Sequence, residues 1–155
     1  MSEEGDRHNA AEVVDRQVER GNGGKPAFVA SDAILTYDGL RRRVNRAGGL
    51  LRELGVAREH RVLLVLDDTT AFPTLFLGAM RIGAVPVPVS ALDKIDNFRH
   101  YVEDSYADVV VTDASCMPRL REALDGFDLR FLVRGGEGDG VVELDAGLAA
   151  QDAEL

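Results

Sequence analysis

Residues Arg61 to Ser90 read RVLLVLDDTTAFPTLFLGAMRIGAVPVPVS, a complete strand, helix and strand with their punctuation in place. Arg61 to Leu66 is a nearly unbroken apolar run of strand length, which suits a parallel strand buried on both faces. Asp67, Asp68, Thr69 and Thr70 then break the run. Any of the four can cap a helix by accepting from free main-chain N–H groups, and Pro73 is tolerated in a first helical turn, where its missing N–H is not needed. Phe72, Leu75, Phe76, Ala79, Met80 and Ile82 give the helix a broad apolar surface, and Gly83 offers a left-handed stop. Val85 to Val89 resumes the apolar run with Pro86 and Pro88, which cannot donate to a ladder, so this strand is short, at an edge or irregular. Leu64, Leu66, Phe76, Val87 and Val110 are expected to be almost fully buried.

Outward from this unit the same alternation continues. Residues 1–8 are charged and polar and read as a flexible tail. Asn9, with Glu12 three residues on, makes a capping-box-like start for a helix through Arg20 with Ala10, Val13, Val14 and Val18 on one side; Gly21 to Lys25 ends it. Ala27 to Ala30 and Ile34 to Thr36 read as a hairpin around Ser31, Asp32 and Ala33. Thr36 is the expected N-cap of an amphipathic helix carrying Leu40, Val44, Ala47, Leu51 and Leu54 and ended by Gly55. Beyond the central unit, Ile95, Phe98, Tyr101 and Val102 mark a helix with Asp93 as a cap, and Val109 to Thr112 is a buried strand. Asp113 is placed to cap a helix reaching Leu124, whose regular part Pro118 delays. Leu129 to Val133 is a further strand, Arg134 to Gly140 (RGGEGDG) a flexible turn, and Leu144 to Ala150 a short helix. Strands alternating with helices predict an α/β fold with an open, mostly parallel sheet and crossover helices, plus an N-terminal helix and β-hairpin. Residues 9–150 are read as one partial subdomain and 151–155 as the start of a linker.

Composition narrows the function classes. With 155 residues the chain is long enough for one domain with a real core. No run approaches the ~18–20 apolar residues of a membrane span, and the start lacks the apolar core of a secretory signal, so a cytoplasmic protein is expected. The single cysteine, Cys116, rules out an intrachain disulfide and suits a reducing compartment, as a small packed residue. A formal net charge of -9 repels nucleic acid. Arg41, Arg42, Arg43 and Arg46 form a basic cluster on the polar side of a helix, which reads as a solvated face.

Motifs that carry chemistry are sparse. Gly24-Lys25 lacks the earlier Gly of a phosphate loop and has Pro26 where a Ser or Thr should bind magnesium. Gly136 to Gly140 follows a strand, but its acids oppose a phosphate; turn geometry accounts for both. Asp67 and Asp68 lie at a strand's carboxyl end, where open α/β sheets place ligands, so an acidic magnesium pair is weighed against helix capping. A phosphoacceptor reading has Thr112 as its hydroxyl but finds Arg134 in place of Lys, with Lys25 and Lys94 elsewhere. His8, His60 and His100 have no paired-ligand spacing. Catalytic, cofactor-binding and metal residues are therefore all read as none.

LGAMRIGAVPVPVS resembles the second core motif of the adenylate-forming superfamily, in which a helix end, a Gly and a Pro-containing strand follow one another. Ile34-Leu35-Thr36-Tyr37-Asp38-Gly39-Leu40 is similar to its first core motif, with Gly39 where the family usually has Glu. Together with Asn9-Ala10-Ala11-Glu12, the central segment most resembles the benzoate-CoA and 4-hydroxybenzoate-CoA ligase branch. The resemblance spans residues 9–155 and implies part of the larger N-terminal domain of an enzyme that activates a carboxylic acid with ATP and transfers the acyl group to coenzyme A. The phosphate loop, magnesium motif, ribose-binding Asp, hinge and catalytic Lys of that family all lie downstream of the matching region, so no catalytic residue carries over. The resemblance implies a chain inactive alone, with ATP, Mg and coenzyme A as cofactors of the complete enzyme, an aromatic acid as substrate and the downstream part of the ligase as partner. Self-association through exposed apolar surface is expected of a fragment. The alternative is a free-standing α/β binding or regulatory module, a split subunit or degenerate paralogue.

Overall fold

In the computed structural model, which describes residues 9–155, the apolar run after Arg61 sits at the heart of a five-stranded parallel sheet. In chain order the elements are α1 (Glu12–Gln17), a π-helical turn (Val18–Asn22), β1 (Pro26–Val29), β2 (Ile34–Thr36), α2 (Tyr37–Glu53), β3 (Arg61–Val65), α3 (Ala71–Arg81) and β4 (Val85–Pro88). There follow α4 (Ile95–Ser105), β5 (Val109–Asp113), α5 (Met117–Ala123), β6 (Arg130–Arg134), β7 (Val141–Glu143) and α6 (Leu144–Ala149). The sheet order is β4-β3-β5-β6-β7, all parallel, and β1 and β2 form a separate antiparallel hairpin. The expected tail, and His8 with it, lies outside the described residues.

Alternate residues of the central strands feed two cores. Val62 and Leu64 of β3 pack with Leu50 and Leu51 of α2, Leu75 and Ala79 of α3 and Leu144 of α6. Leu63 and Val65 pack on the opposite face with Phe98 and Val102 of α4 and Leu120 of α5. Burial on both faces is why β3 and β5 carry no polar alternation. A smaller cluster of Val14, Leu35, Leu40 and Val44 joins α1 and the hairpin to α2.

The outer strand β4 explains the Val-Pro alternation. Val85 donates to the His60 carbonyl (2.8 Å) and Val89 to the Leu64 carbonyl (3.0 Å), so the valines at this spacing turn their N–H groups inward to β3. Pro86 and Pro88 occupy the intervening positions, where an N–H would point out of the sheet, and the edge is left without those donors.

Four expectations are corrected. Phe76 and Val87 are half-buried, because α3 turns Phe76 to the margin of its core and β4 has no neighbour beyond it. The first helix ends at Gln17 and passes into a π-helical turn; Ala11 and Val14 are buried while Val13 is 52% exposed. Asn9 makes no capping box with Glu12. Its side-chain Oδ1 accepts from Ala11 N–H (3.0 Å), and its side-chain amide Nδ2 donates to the Met80 (2.7 Å) and Arg81 carbonyls, which closes the C-terminus of α3 instead. Finally, the turn read between Arg134 and Gly140 is a parallel crossover without a helix. It returns the chain to form β7, a fifth strand, with Gly135, Gly138 and Gly140 all at positive φ. Thr36, by contrast, caps α2 as expected, accepting from Gly39 N–H at 3.1 Å.

Candidate functional site at the carboxyl edge of the sheet

The carboxyl ends of β3, β5 and β6 converge with the tip of the β1–β2 hairpin on a cluster of charged groups. Asp113, which ends β5 and is buried, accepts from Arg134 Nε at the end of β6 (2.5 Å) and from Asp67 N–H just past β3 (2.8 Å). Arg134 also reaches Asp32 of the hairpin tip at 3.5 Å. Asp32 in turn accepts from Thr70 N–H (2.9 Å) and the Thr70 hydroxyl (2.8 Å) at the entrance of α3. Burial alone would raise the Asp32 carboxyl, but the two Thr70 hydrogen bonds and the Arg134 charge outweigh it and hold the group below its ordinary value.

This geometry overturns the capping roles read for this region. None of Asp67, Asp68, Thr69 or Thr70 caps α3 with its own side chain. The cap comes from Asp32, 38 residues away in sequence. Asp113 likewise does not cap α5, because its carboxylate is committed to Arg134 and Asp67. At α4, Asp93 accepts from Lys94 N–H (2.8 Å) and the Asn97 amide (2.8 Å) and pairs with the Tyr101 hydroxyl.

The other candidates are dispersed. Asp67 and Asp68 are exposed, and the Thr112 hydroxyl donates to the Val65 carbonyl (3.0 Å) within the sheet. Lys25, Lys94, His60 and His100 are exposed at separate places. Cys116 is buried, and burial pushes its thiol up. Gly24 and Lys25 sit in the turn before β1, and Gly136 packs so closely on Val133 that a Cβ would come within 2.5 Å. In the basic cluster, Arg41 faces Asp38 (3.7 Å) and Arg43 faces Asp145 (4.0 Å). Among the described residues no three His, Cys, Asp or Glu side chains converge to hold a metal.

Chemically the cluster is a closed charge network. Its one arginine is shared by two carboxylates, and the α3 entrance, where a free N–H could meet an anion, is filled by Asp32. Beside it, a cleft of about 350 Å³ opens between α5 and the β6–β7 crossover, lined by Met117, Pro118, Val133 and Val141 among others. Asp32 is the member of the network that the reading of the sequence missed. A lone Asp in a hairpin turn carries no local sign of a partner so far along the chain.

An open parallel sheet covered by helices on both faces places this chain in the α/β class, whose ligand sites generally lie beyond the carboxyl ends of the strands. Comparison with known proteins narrows the class. Residues 14–143 match the family described as AMP-binding enzyme. Over 118 residues the chain is 43% identical to the 4-hydroxybenzoate–CoA/benzoate–CoA ligase of Rhodopseudomonas palustris, a match covering 76% of this chain and 22% of that protein. Over 138 residues it is 35% identical to the benzoate–CoA ligase of Thauera aromatica, covering 86% and 26%. A benzoate CoA ligase from Burkholderia xenovorans LB400 superposes with a TM-score of 0.85 at 28% identity, over 96% of this chain and 29% of that one. The chain belongs to the AMP-binding enzyme family, and its fold is that of the N-terminal domain of adenylate-forming enzymes. It spans about a quarter of the length of these relatives.

Proposed function

We propose that the chain is the N-terminal part of an AMP-forming acid–CoA ligase acting on an aromatic acid such as benzoate or a hydroxybenzoate. The observation that carries this reading is the 43% identity to a ligase for those acids, together with the shared fold. A carboxylate is a poor electrophile, so adenylation supplies a leaving group before the acyl group passes to the thiol of coenzyme A.

ATP, magnesium and coenzyme A belong to the complete enzyme, and the residues of this chain do not fit the nucleotide's phosphates. Arg134 is already neutralised by Asp113 and Asp32, and the exposed acids Asp67 and Asp68 would repel a phosphate chain. The chain's own contribution is the rigid layer of β3, β5, α2 and α3 on which a downstream catalytic region is built. Alone it is inactive. No helix among the described residues is long and apolar enough to cross a membrane, and a cytoplasmic location suits the single, buried cysteine.

ATP–pyrophosphate exchange tests the reading. The complete reading frame that contains this chain is expected to exchange label with benzoate or 4-hydroxybenzoate, and the 155-residue chain alone to show none. Exchange by the pure chain, or none by the complete frame with a panel of aromatic acids, would overturn it.

A further inference from the structure

We propose that the cleft where α1, α2 and α3 meet residues 153–155 is a binding site for a phosphate-class oxyanion, a role independent of the ligase reading above. The cleft holds about 410 Å³. Arg41, Arg42 and Asn45 line it from α2, Arg81 from the end of α3 and Asp15 from α1, with the exposed Glu154 beside them.

Its charge runs against that of the molecule. Three arginines meet two carboxylates there, in a chain of formal net charge -9. Asp15 is committed to Arg81, and Arg41 has only a loose neighbour in Asp38 at 3.7 Å. Arg42 is exposed and joins no ion pair among the described residues. Like charges one turn apart, as at Arg42 and Arg46, destabilise a helix unless a counter-ion lies near them.

Buried polar atoms without partners gather on the same seam. Six such side-chain atoms occur among the described residues, and five of them belong to Arg43, Asn45, Arg46 and Arg81. Four of the five are guanidinium nitrogens, which only donate, so the missing group is an acceptor. A buried donor left unpaired is costly, and several on one seam mark a place where an acceptor belongs. Arg81 joins the two observations: it lines the cleft, and while its Nη1 is held by Asp15, its Nε and Nη2 have no acceptor. An anion seated between Arg42 and Arg81 supplies one after a rotation of the flexible Arg81 side chain.

The arrangement of donors selects the ligand class. A planar carboxylate is satisfied by one guanidinium fork, whereas a tetrahedral group presents oxygens to donors arriving from two helices at once. Asn45 fixes the remaining wall, because its amide donates to the Ala153 carbonyl at 2.9 Å. A bound oxyanion therefore ties α2 and α3 to the segment that leaves the last helix.

Equilibrium dialysis of radiolabelled inorganic phosphate against the complete polypeptide that contains this chain, with chloride holding the ionic strength constant, tests the site. Saturable binding is expected, weakened at least about tenfold by Arg42→Gln. Arg52→Gln, at an exposed arginine of the same helix outside the cleft, should leave it unchanged. Both side chains are exposed, so neither substitution threatens the fold. Absence of saturable binding would overturn the proposal and leave Glu154 as the cleft's own counter-ion. Equal weakening by the two substitutions would overturn it in favour of general charge attraction, and binding that Arg42→Gln does not weaken would place the phosphate elsewhere. Displacement of the Arg42-dependent phosphate by an equal concentration of benzoate would overturn the phosphate assignment and give the cleft to carboxylates.

Discussion

Asp32 accepts both the main-chain N–H and the hydroxyl of Thr70, at 2.9 and 2.8 Å, so the N-terminus of α3 is capped by a residue from a different substructure. One carboxylate thereby ties the hairpin to the parallel sheet, and through Arg134 to Asp113 at the end of β5. Both the local capping of α3 and the docking of the hairpin depend on it.

Replacing Asp32 by Ala should destabilise the fold by about 1–2 kcal/mol, the upper part of the range for a lost helix cap, because Arg134 loses a neighbour as well. Urea denaturation of the two proteins measures this. A difference below about 0.5 kcal/mol would show that water replaces the carboxylate at Thr70 without penalty.

The same carboxyl predicts a pH dependence with a definite sign. Its folded value lies below that of an unfolded Asp, near 3.9, so its stabilisation is fully present above that value. The contribution is lost as pH falls through the folded value. Asp93, held low first by the Tyr101 hydroxyl and then by Lys94 N–H and Asn97, acts in the same direction. Wild type should be more stable than Asp32→Asn at pH 7, and the gap should close as the pH is taken well below 4. A gap of constant size from pH 7 to pH 2 would rule out the charge as its source.

Within α3, Leu75 and Phe76 should separate. Leu75 is fully buried, and Leu75→Ala should cost about 2–5 kcal/mol. Phe76 is half-buried at the margin of the same cluster, so Phe76→Ala should fall below the ~3–5 kcal/mol of an enclosed Phe and below the Leu75 loss. Chemical denaturation of both variants decides, and a larger loss at Phe76 would mean that something covers that edge in solution.

The contact between α2 and α3 rests on Gly78. A Cβ there would come within 2.5 Å of the Ala47 Cβ, which cannot swing away. Gly78→Ala should therefore lose about 1–3 kcal/mol to overpacking despite a helix-propensity gain of about 1 kcal/mol. Gly49→Ala meets only the flexible end of Gln151 at 2.8 Å and should be neutral or slightly stabilising. Thermal melts of the pair check the contrast.

Much of this architecture is legible in local pattern. The apolar run at Arg61–Leu66, the glycine stops at Gly55 and Gly83, and the Thr36 cap report interactions made within a few residues, and each recurs in the structure. The β7 strand was hidden, because a three-residue strand reached through six residues rich in glycine has neither the length nor the crossover helix that ordinarily announces a parallel neighbour. The two core motifs pointed to the adenylate-forming enzymes, and the family match over residues 14–143 agrees.

By itself, then, the sequence determined the alternation of buried strands and amphipathic helices, the short, edge or irregular character of the Pro-containing strand and the family, because periodicity, proline and glycine act on their own segments. Only the tertiary structure decided which acid caps which helix, that Arg134 is shared between Asp113 and Asp32, and which apolar side chains remain outside. A carboxylate binds whichever N–H or guanidinium the fold brings within about 3 Å of it, and that neighbour is set by how the hairpin, sheet and helices pack, not by spacing along the chain.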